Sequence, residues 1–284
     1  MKPLLLLALT ASLATAQSTI SPANKYAYAA NAGWIDFRGN APDGVRVSDT
    51  FLAGYAYAAN FGWIHLGSGT PTNGHTYSNT SATNYGVNMA PDGKLTGYAY
   101  AANIGWINFE QAQGLPKIDL TTGTFSGYAY AANIGWIALN TPSSTLATAT
   151  ISRPDTDGDG LPDAWEQLYY GNLTTANATS NSDGDGANDL AEYNAGTIPT
   201  DATSSFRITG QTFSAGFANA TLTYTAVDTR RYRIEYNSDL GATWTDSGLG
   251  TFAPSITPIA TANVTGLPLP ATKRFFRATA IALP

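Results

Sequence analysis

Two stretches of the chain place oxygen-bearing side chains at every second position. Residues 155–166 read DTDGDGLPDAWE, and residues 181–192 read NSDGDGANDLAE. Calcium is a hard cation that takes roughly six to eight oxygens, and a twelve-residue loop supplies them from positions 1, 3, 5, 7, 9 and 12. In the first stretch these are Asp155, Asp157, Asp159, the Leu161 carbonyl, Asp163 and Glu166, the last able to bind through both oxygens. In the second they are Asn181, Asp183, Asp185, the Ala187 carbonyl, Asp189 and Glu192. Gly160 and Gly186 occupy position 6, where such a loop turns sharply. The two glutamates stand 26 residues apart. Nine of the 20 acidic residues lie between Asp155 and Glu192, while the other eleven are outnumbered by 14 Lys and Arg. The net charge of −6 therefore originates in these two loops. A solvated acidic linker is the alternative, and the same pattern occurring twice argues against it.

Short elements must hold these loops. Pro154 and the Ser/Thr-rich run before it exclude a long helix ahead of the first loop, so neither unit is a full EF-hand. Short helices are expected after the loops, over Asp163–Tyr170 with Gly171 as the stop, and over Asn188–Asn194 with Gly196 as the stop. Trp165, Leu168, Tyr169, Leu190 and Tyr193 would pack the two half-hands together. The stretch 154–201 resembles the dockerin-like or thrombospondin type 3-like calcium modules of bacterial secreted proteins, and its exit Ala195-Gly196-Thr197-Ile198-Pro199 is similar to their AGTxP ending. The resemblance implies a structural spacer rather than a sensor. A true dockerin would bind a cohesin, but the 26-residue unit does not closely match that pattern. Asn181 replaces aspartate at position 1, which leaves the second site one charge fewer.

The N-terminal half repeats one motif four times: YAYAANAGWIDF (26–37), YAYAANFGWIHL (55–66), YAYAANIGWINF (98–109) and YAYAANIGWIAL (128–139). The tryptophans Trp34, Trp63, Trp106 and Trp136 are separated by 29, 43 and 30 residues, the long gap holding a polar insertion over 67–84. Asn-x-Gly between apolar runs predicts a three-residue hairpin loop, Asn31-Ala32-Gly33 in the first copy, with Ala30 opposite Trp34 and Ala29 opposite Ile35. Alternation then puts Ala27, Ala29, Ile35 and Phe37 on a core face and Tyr26, Tyr28, Trp34 and Asp36 on the other. Short strands ahead of three copies (45–47, 85–89 and 117–120) make each unit a meander, about eleven strands in all. A stacked or closed antiparallel array follows, with propeller, prism and solenoid left open.

The aromatic face has two readings. Tyr28, Trp34, Tyr57, Trp63, Tyr100, Trp106, Tyr130 and Trp136 can stack on sugar rings while the motif asparagines bond their hydroxyls, or the rings can pack against each other inside the array. The variable position after Trp-Ile (Asp36, His65, Asn108, Ala138) is expected to be exposed, and a catalytic His65–Asp36 pair is conceivable but lacks a nearby nucleophile motif. The pattern resembles the GYAxxxNxGWIxF repeats of uncharacterised bacterial surface and secreted proteins, which implies location more than activity.

From about Phe206 β character returns. Thr221–Val227 and Arg231–Tyr236 alternate, a turn follows over 237–241, Trp244 starts a short strand, and Arg274–Ile281 ends the pattern. The segment resembles fibronectin type III-like or Ig-like C-terminal modules. Arg230, Arg231, Arg233, Arg274 and Arg277 form either a solvated strand face or a site for an anionic polymer.

Residues 1–16, MKPLLLLALTASLATA, read as a signal peptide, with a positive start, an apolar run and an A-x-A-like cleavage site. In 284 residues there is no cysteine, so disulfides do not stabilise the chain. Hydrophobic residues make up 43% and charged ones only 12%, which excludes a disordered acidic chain and a basic nucleic-acid binder. No later segment is long enough to span a membrane as an apolar helix.

The expected fold is mostly β: an antiparallel repeat array of about four hairpin or meander units, a short α-helical calcium-binding half-EF-hand module, and a C-terminal β-sandwich. The expected boundaries are a signal peptide at 1–16, an aromatic β-repeat domain at 17–140, a Ser/Thr-rich linker at 141–153, a tandem calcium-loop module at 154–201 and the sandwich at 202–284. The leading function is a secreted, non-enzymatic calcium-binding protein with a structural or adhesive role at a bacterial surface or in extracellular matrix. The second is carbohydrate binding through the Tyr/Trp face. A glycan-active hydrolase ranks third, since paired carboxylates beside a cleft, G-x-S-x-G, HExxH and a cysteine nucleophile are not evident. Expected partners are calcium ions and extracellular polysaccharide or surface proteins, without nucleic acid.

Overall fold

The computed structural model describes residues 17–39, 42–238, 243–268 and 273–282, so the signal peptide at 1–16 lies outside the described residues. The first hairpin joins β1 (Ile20–Ala29) to β2 (Gly33–Asp36), and β3 (Arg46–Val47) leads into the second, β4 (Leu52–Ala58) and β5 (Gly62–Gly67). β6 (Val87–Met89) leads into the third, β7 (Leu95–Ala101) and β8 (Gly105–Asn108). β9 (Lys117–Ile118) and β10 (Phe125–Ser126) precede the fourth, β11 (Tyr128–Ala131) and β12 (Gly135–Ala138), and β13 (Asn140–Thr141) and β14 (Ser144–Thr148) follow.

Neighbouring hairpins pair in one repeated register: Ile35 opposite Ala58, Ile64 opposite Ala101, Ile107 opposite Ala131, and Ile137 opposite Ala29. The last of these joins β12 back to β1, so eight strands form a closed antiparallel barrel. Closure pairs each of these eight strands on both sides, so none of them is an edge strand. The leading strand that the first copy lacks comes from the far end of the run, where β14 pairs with β1 and puts Ile20 opposite Thr148. Residues 144–148, in the span read as a linker, thus extend the barrel's strand network.

The hairpin register differs from the expected one. Ala29 pairs with Gly33, Tyr28 with Trp34 and Ala27 with Ile35, so the loop is Ala30-Asn31-Ala32 and the glycine, at φ +80°, is its first partner on the return strand. Each partner moves by two residues, and a shift of two preserves the alternation of faces. The core face is therefore the one expected. Ala27, Ala29, Ala56, Ala58, Ala99, Ala101, Ala129 and Ala131 are at most 1% exposed, and Ile35, Ile64, Ile107 and Ile137 lie among them. An eight-stranded barrel is just wide enough for side chains to fill, so small alanines opposite branched isoleucines suit it. The interior retains a cavity of about 10 Å³, no larger than one water.

The loop asparagines form a ring. Asn60 Nδ2 donates to the Ala32 carbonyl (2.9 Å), Asn103 to Phe61 (2.9 Å), Asn133 to Ile104 (3.0 Å) and Asn31 to Ile134 (3.2 Å). Each loop thereby holds its predecessor, and the fourth bond closes the circle. The accepting residues Ala32, Phe61, Ile104 and Ile134 are buried in the core cluster at that end of the barrel. Such bonds are worth about 0.5–1.5 kcal/mol each. One amide N–H of each exposed asparagine thus serves the fold, a role the hairpin motif alone did not reveal.

Beyond the barrel come α1 (Asp163–Tyr169) and α2 (Asp189–Ala195), each within a residue of the expected span. Asn188 caps α2 by accepting from the Ala191 N–H, and Gly196 ends it at φ +74°. Six further strands, β15 (Ile208–Phe213), β16 (Ala220–Thr225), β17 (Arg231–Asn237), β18 (Thr245–Phe252), β19 (Ile259–Val264) and β20 (Phe275–Ile281), make two small sheets, β15-β16-β19 and β18-β17-β20. Leu222 and Tyr224 of one sheet and Tyr232 and Ile234 of the other share one buried cluster. The turn expected over 237–241 reaches past the described residues.

Candidate metal centres and the aromatic barrel face

The carboxylates of the acidic loops converge as the spacing predicts, with Asp189 the exception. In the first, carboxylate oxygens of Asp157, Asp159 and Glu166 lie within 4.8 Å of one another, as do those of Asp155, Asp157 and Asp163. In the second, Asp183, Asp185 and Glu192 do so. Asp155 organises its loop by accepting from the N–H groups of Gly158 (2.8 Å), Asp159 (3.2 Å) and Gly160 (3.0 Å). Asn181 accepts from Gly184 (2.7 Å) in the equivalent place. The N–H groups of Leu161 and Ala187, whose carbonyls occupy position 7, donate to Asp159 (2.9 Å) and Asp185 (2.7 Å).

Position 9 behaves differently from the plain twelve-residue scheme. Asp163 accepts from the Thr156 N–H (2.7 Å) and the Thr156 hydroxyl. Asp189, fully buried, accepts from the Ser182 N–H (3.1 Å) and from the hydroxyls of Ser182 (2.8 Å), Ser180 (2.6 Å) and Tyr170 (3.1 Å). Asp189 is saturated by these four donors and braces the loop, outside the group of converging oxygens. Thr156 and Ser182 both stand at position 2, and a hydroxyl there in both copies is the sequence signal for this bracing.

Both carboxylate oxygens of Glu166, Oδ2 of Asp183, Oδ2 of Asp185 and Oε2 of Glu192 are buried without a hydrogen-bond partner. Glu166 is 0% and Glu192 1% exposed. A buried, unpaired carboxylate is unfavourable by several kcal/mol unless a proton or a cation neutralises it. Burial, reinforced by Asp159 and Asp157, pushes Glu166 up to about 7, and burial, reinforced by Asp183, pushes Glu192 up to about 7. The donor set is all oxygen and hard, which fits calcium rather than a soft metal.

The sign of the pH dependence follows. Both folded pKa values lie above the ordinary 4.5, so the metal-free fold binds more protons than the unfolded chain and loses stability as pH rises from about 4.5 to about 7. In EDTA, thermal melts at about pH 5.5 should exceed those at about pH 8, whereas affinity for any divalent cation held by these carboxylates should rise over the same window, because ligands must be deprotonated. A metal-free melting temperature that climbs steadily with pH would contradict this.

The module is fastened on both sides. Tyr193, next to Glu192, donates its hydroxyl to Asp49 in the barrel's connecting segment (2.9 Å), and Arg153 Nε also bonds Asp49 (3.2 Å). Arg230, from the C-terminal part, donates to the carbonyls of Tyr193 (2.9 Å) and Asn194 (2.8 Å) and so caps the end of α2. Trp165 packs on Tyr193 at 5.8 Å and on Tyr169 at 5.1 Å, with Leu190 beside the same cluster. Leu168 instead lines the gap of about 80 Å³ between this module and the barrel segments.

The repeat aromatics lie outside the barrel, which corrects the expectation that they pack inside the array. The four tryptophans are 42–48% exposed. Each sits between two tyrosines of its own hairpin: Trp34 is 4.8 Å from Tyr28, Trp63 4.9 Å from Tyr57, Trp106 5.0 Å from Tyr100, and Trp136 5.1 Å from Tyr130. Position 36 and its equivalents are only half exposed. Asp36 pairs with Lys25 (2.7 Å), while His65 Nδ1 meets the Tyr85 hydroxyl (2.7 Å), so the two do not form a pair. The arginines divide. Arg231, Arg233 and Arg277 share one face of the β17–β20 pair, where Arg277 bonds Glu235 (2.7 Å) and covers Trp244. Arg274 instead donates to the Phe217 carbonyl and stacks on Tyr236, and Arg230 is engaged with α2, so the five do not form a single cationic face.

No protein-family model, no curated protein and no solved structure matches this chain. Among the described residues, no helix is long and apolar enough to cross a membrane.

Proposed function

We propose that the chain is a calcium-binding structural or adhesive protein that acts outside the cell, with the two acidic loops as half-EF-hand calcium sites and the C-terminal sheets as a small β-sandwich. The observation that carries the reading is the convergence, twice, of carboxylates on a buried glutamate that has at least one unpartnered oxygen. In the first site Asp155, Asp157, Asp159 and Glu166 would hold the ion with the Leu161 carbonyl. In the second, Asn181, Asp183, Asp185 and Glu192 would do so with the Ala187 carbonyl. The ion supplies charge neutralisation and a fixed loop geometry. The chain's part is to present the oxygens and to tie the ordered loops to Asp49 and Arg230. The reading includes no enzymatic activity. Isothermal titration of EDTA-treated, dialysed protein with calcium tests it: two ions per chain support the reading, and no uptake overturns it.

A second reading, carbohydrate binding through the Tyr/Trp face, is favoured by the outward position of the tryptophans, because exposed flat rings are unusual unless they meet a partner. Affinity electrophoresis in gels containing polysaccharide tests this reading with Trp34→Ala, Trp63→Ala, Trp106→Ala and Trp136→Ala. Retardation that at least one of these variants relieves supports it, and unretarded wild-type protein in every gel returns the face to a protein partner.

A further inference from the structure

Trp106 differs from the other repeat tryptophans in what stands beside it. Where the connecting segments are short, a glycine lies against the ring: a Cβ on Gly39 would be 3.2 Å from Trp63, and one on Gly114 would be 3.2 Å from Trp136. The segment before the third hairpin is longer, and it is anchored. Tyr77, 3% exposed, fills a notch left by Gly67 and Gly86, where an added Cβ would lie 2.5 and 2.3 Å from its ring. Its hydroxyl accepts from the Gly69 N–H (2.8 Å), and its backbone N–H and carbonyl both bond the Asn88 side chain (2.8 and 2.9 Å). A Cβ on Gly97 would lie 2.6 Å from Asn79, so the inserted segment packs directly on β7.

The result is a wall facing an aromatic floor. A cavity of about 480 Å³ lies between them, lined by Asn79, Thr80, Ser81, Tyr85, Tyr98 and Trp106. That volume falls in the range of roughly 300–1,000 Å³ usual for small-molecule pockets. Tyr85 stands edge-on to Trp106 with ring centroids 4.9 Å apart, and its contact with His65 holds it there. The opposite rim offers short hydroxyl and amide groups. No Lys or Arg lines the cavity, and Glu110 accepts from the Tyr98 hydroxyl at its border (3.3 Å).

We infer that this cleft, between the 67–84 segment and the third hairpin, binds a neutral oligosaccharide, with Trp106 as the platform for one sugar ring. A pyranose presents a C–H face that stacks on indole and an equatorial belt of hydroxyls that asparagine, threonine and serine can bond. The lack of cations and the neighbouring Glu110 disfavour uronate or sulfated sugars. The inference rests on the carbohydrate reading above and narrows it to one of four platforms.

The test is titration of the full chain, in calcium, with β-1,4-linked hexasaccharides of glucose, N-acetylglucosamine and xylose, with maltohexaose, and with hexagalacturonate as the acidic contrast. At least one neutral hexasaccharide should bind, and Trp106→Ala should weaken it about tenfold or more. Trp34→Ala, Trp63→Ala and Trp136→Ala should each change affinity by less than about twofold. Ala82→Trp, which fills the cleft and leaves Trp106 in place, should weaken binding as Trp106→Ala does. Equal losses at all four tryptophans would overturn the cleft while leaving carbohydrate binding by the face intact. Preference for hexagalacturonate would overturn the neutral ligand, and no binding of any hexasaccharide would overturn both the cleft and the reading beneath it.

Discussion

Saturating calcium should raise the melting temperature of the full chain well above its value in excess EDTA, and Glu166→Gln with Glu192→Gln should abolish the difference. At a hundred times its dissociation constant, one ion that binds only the folded state adds about 2.7 kcal/mol, so two independent sites add about 5 kcal/mol. The variant separates this from a general salt effect. Each glutamine keeps the shape of the side chain and removes a buried negative charge, one whose oxygens are both unpartnered at Glu166 and one with a single unpartnered oxygen at Glu192. In EDTA the double variant should therefore melt above the wild type, and in calcium below it. Superimposable wild-type curves with and without calcium would defeat the proposal. The effect should extend beyond the loops, because Glu192 is followed by Tyr193, which reaches Asp49, and α2 ends on Arg230.

Ile107→Ala should lower stability by about 2–5 kcal/mol, the usual loss for truncating a buried isoleucine that leaves a cavity. Trp106→Ala, one residue away, deletes a far larger side chain and should cost only about 1 kcal/mol, the worth of exposed ring pairing. Ile107 is 1% exposed inside a barrel with almost no spare volume, whereas Trp106 is 48% exposed outside it. Urea unfolding of the two variants measures the contrast. Similar losses would mean that both side chains are core, and the outward orientation of the aromatic face would fall.

Much of this was legible along the chain because the signals are local. The helix limits follow from Gly171 and Gly196, and the convergence of the acidic side chains follows from spacing within twelve residues, since both clusters draw their members from one short segment. The faces of the hairpins survived a misplaced turn, because a two-residue shift in pairing does not exchange inside for outside. The role of Asp189 was not legible: its donors Ser180, Ser182 and Tyr170 surround it only once the loop has closed.

The closed barrel was the larger gap. Four equal hairpins can stack in a row or in a ring, and nothing within one copy says which. The decision lies in contacts between residues at opposite ends of the run, Ala29 with Ile137 and Asn31 with the Ile134 carbonyl, more than 100 positions apart. By itself the sequence determined which residues are small, branched, aromatic or acidic, and with what period, and so determined the two faces and the two oxygen sets. Only the tertiary structure decided that the aromatic face points outward, that the asparagines clasp neighbouring loops, and that one insertion walls one tryptophan. Periodicity is a property of neighbours in the chain, while closure and clefts arise from groups that meet only after folding.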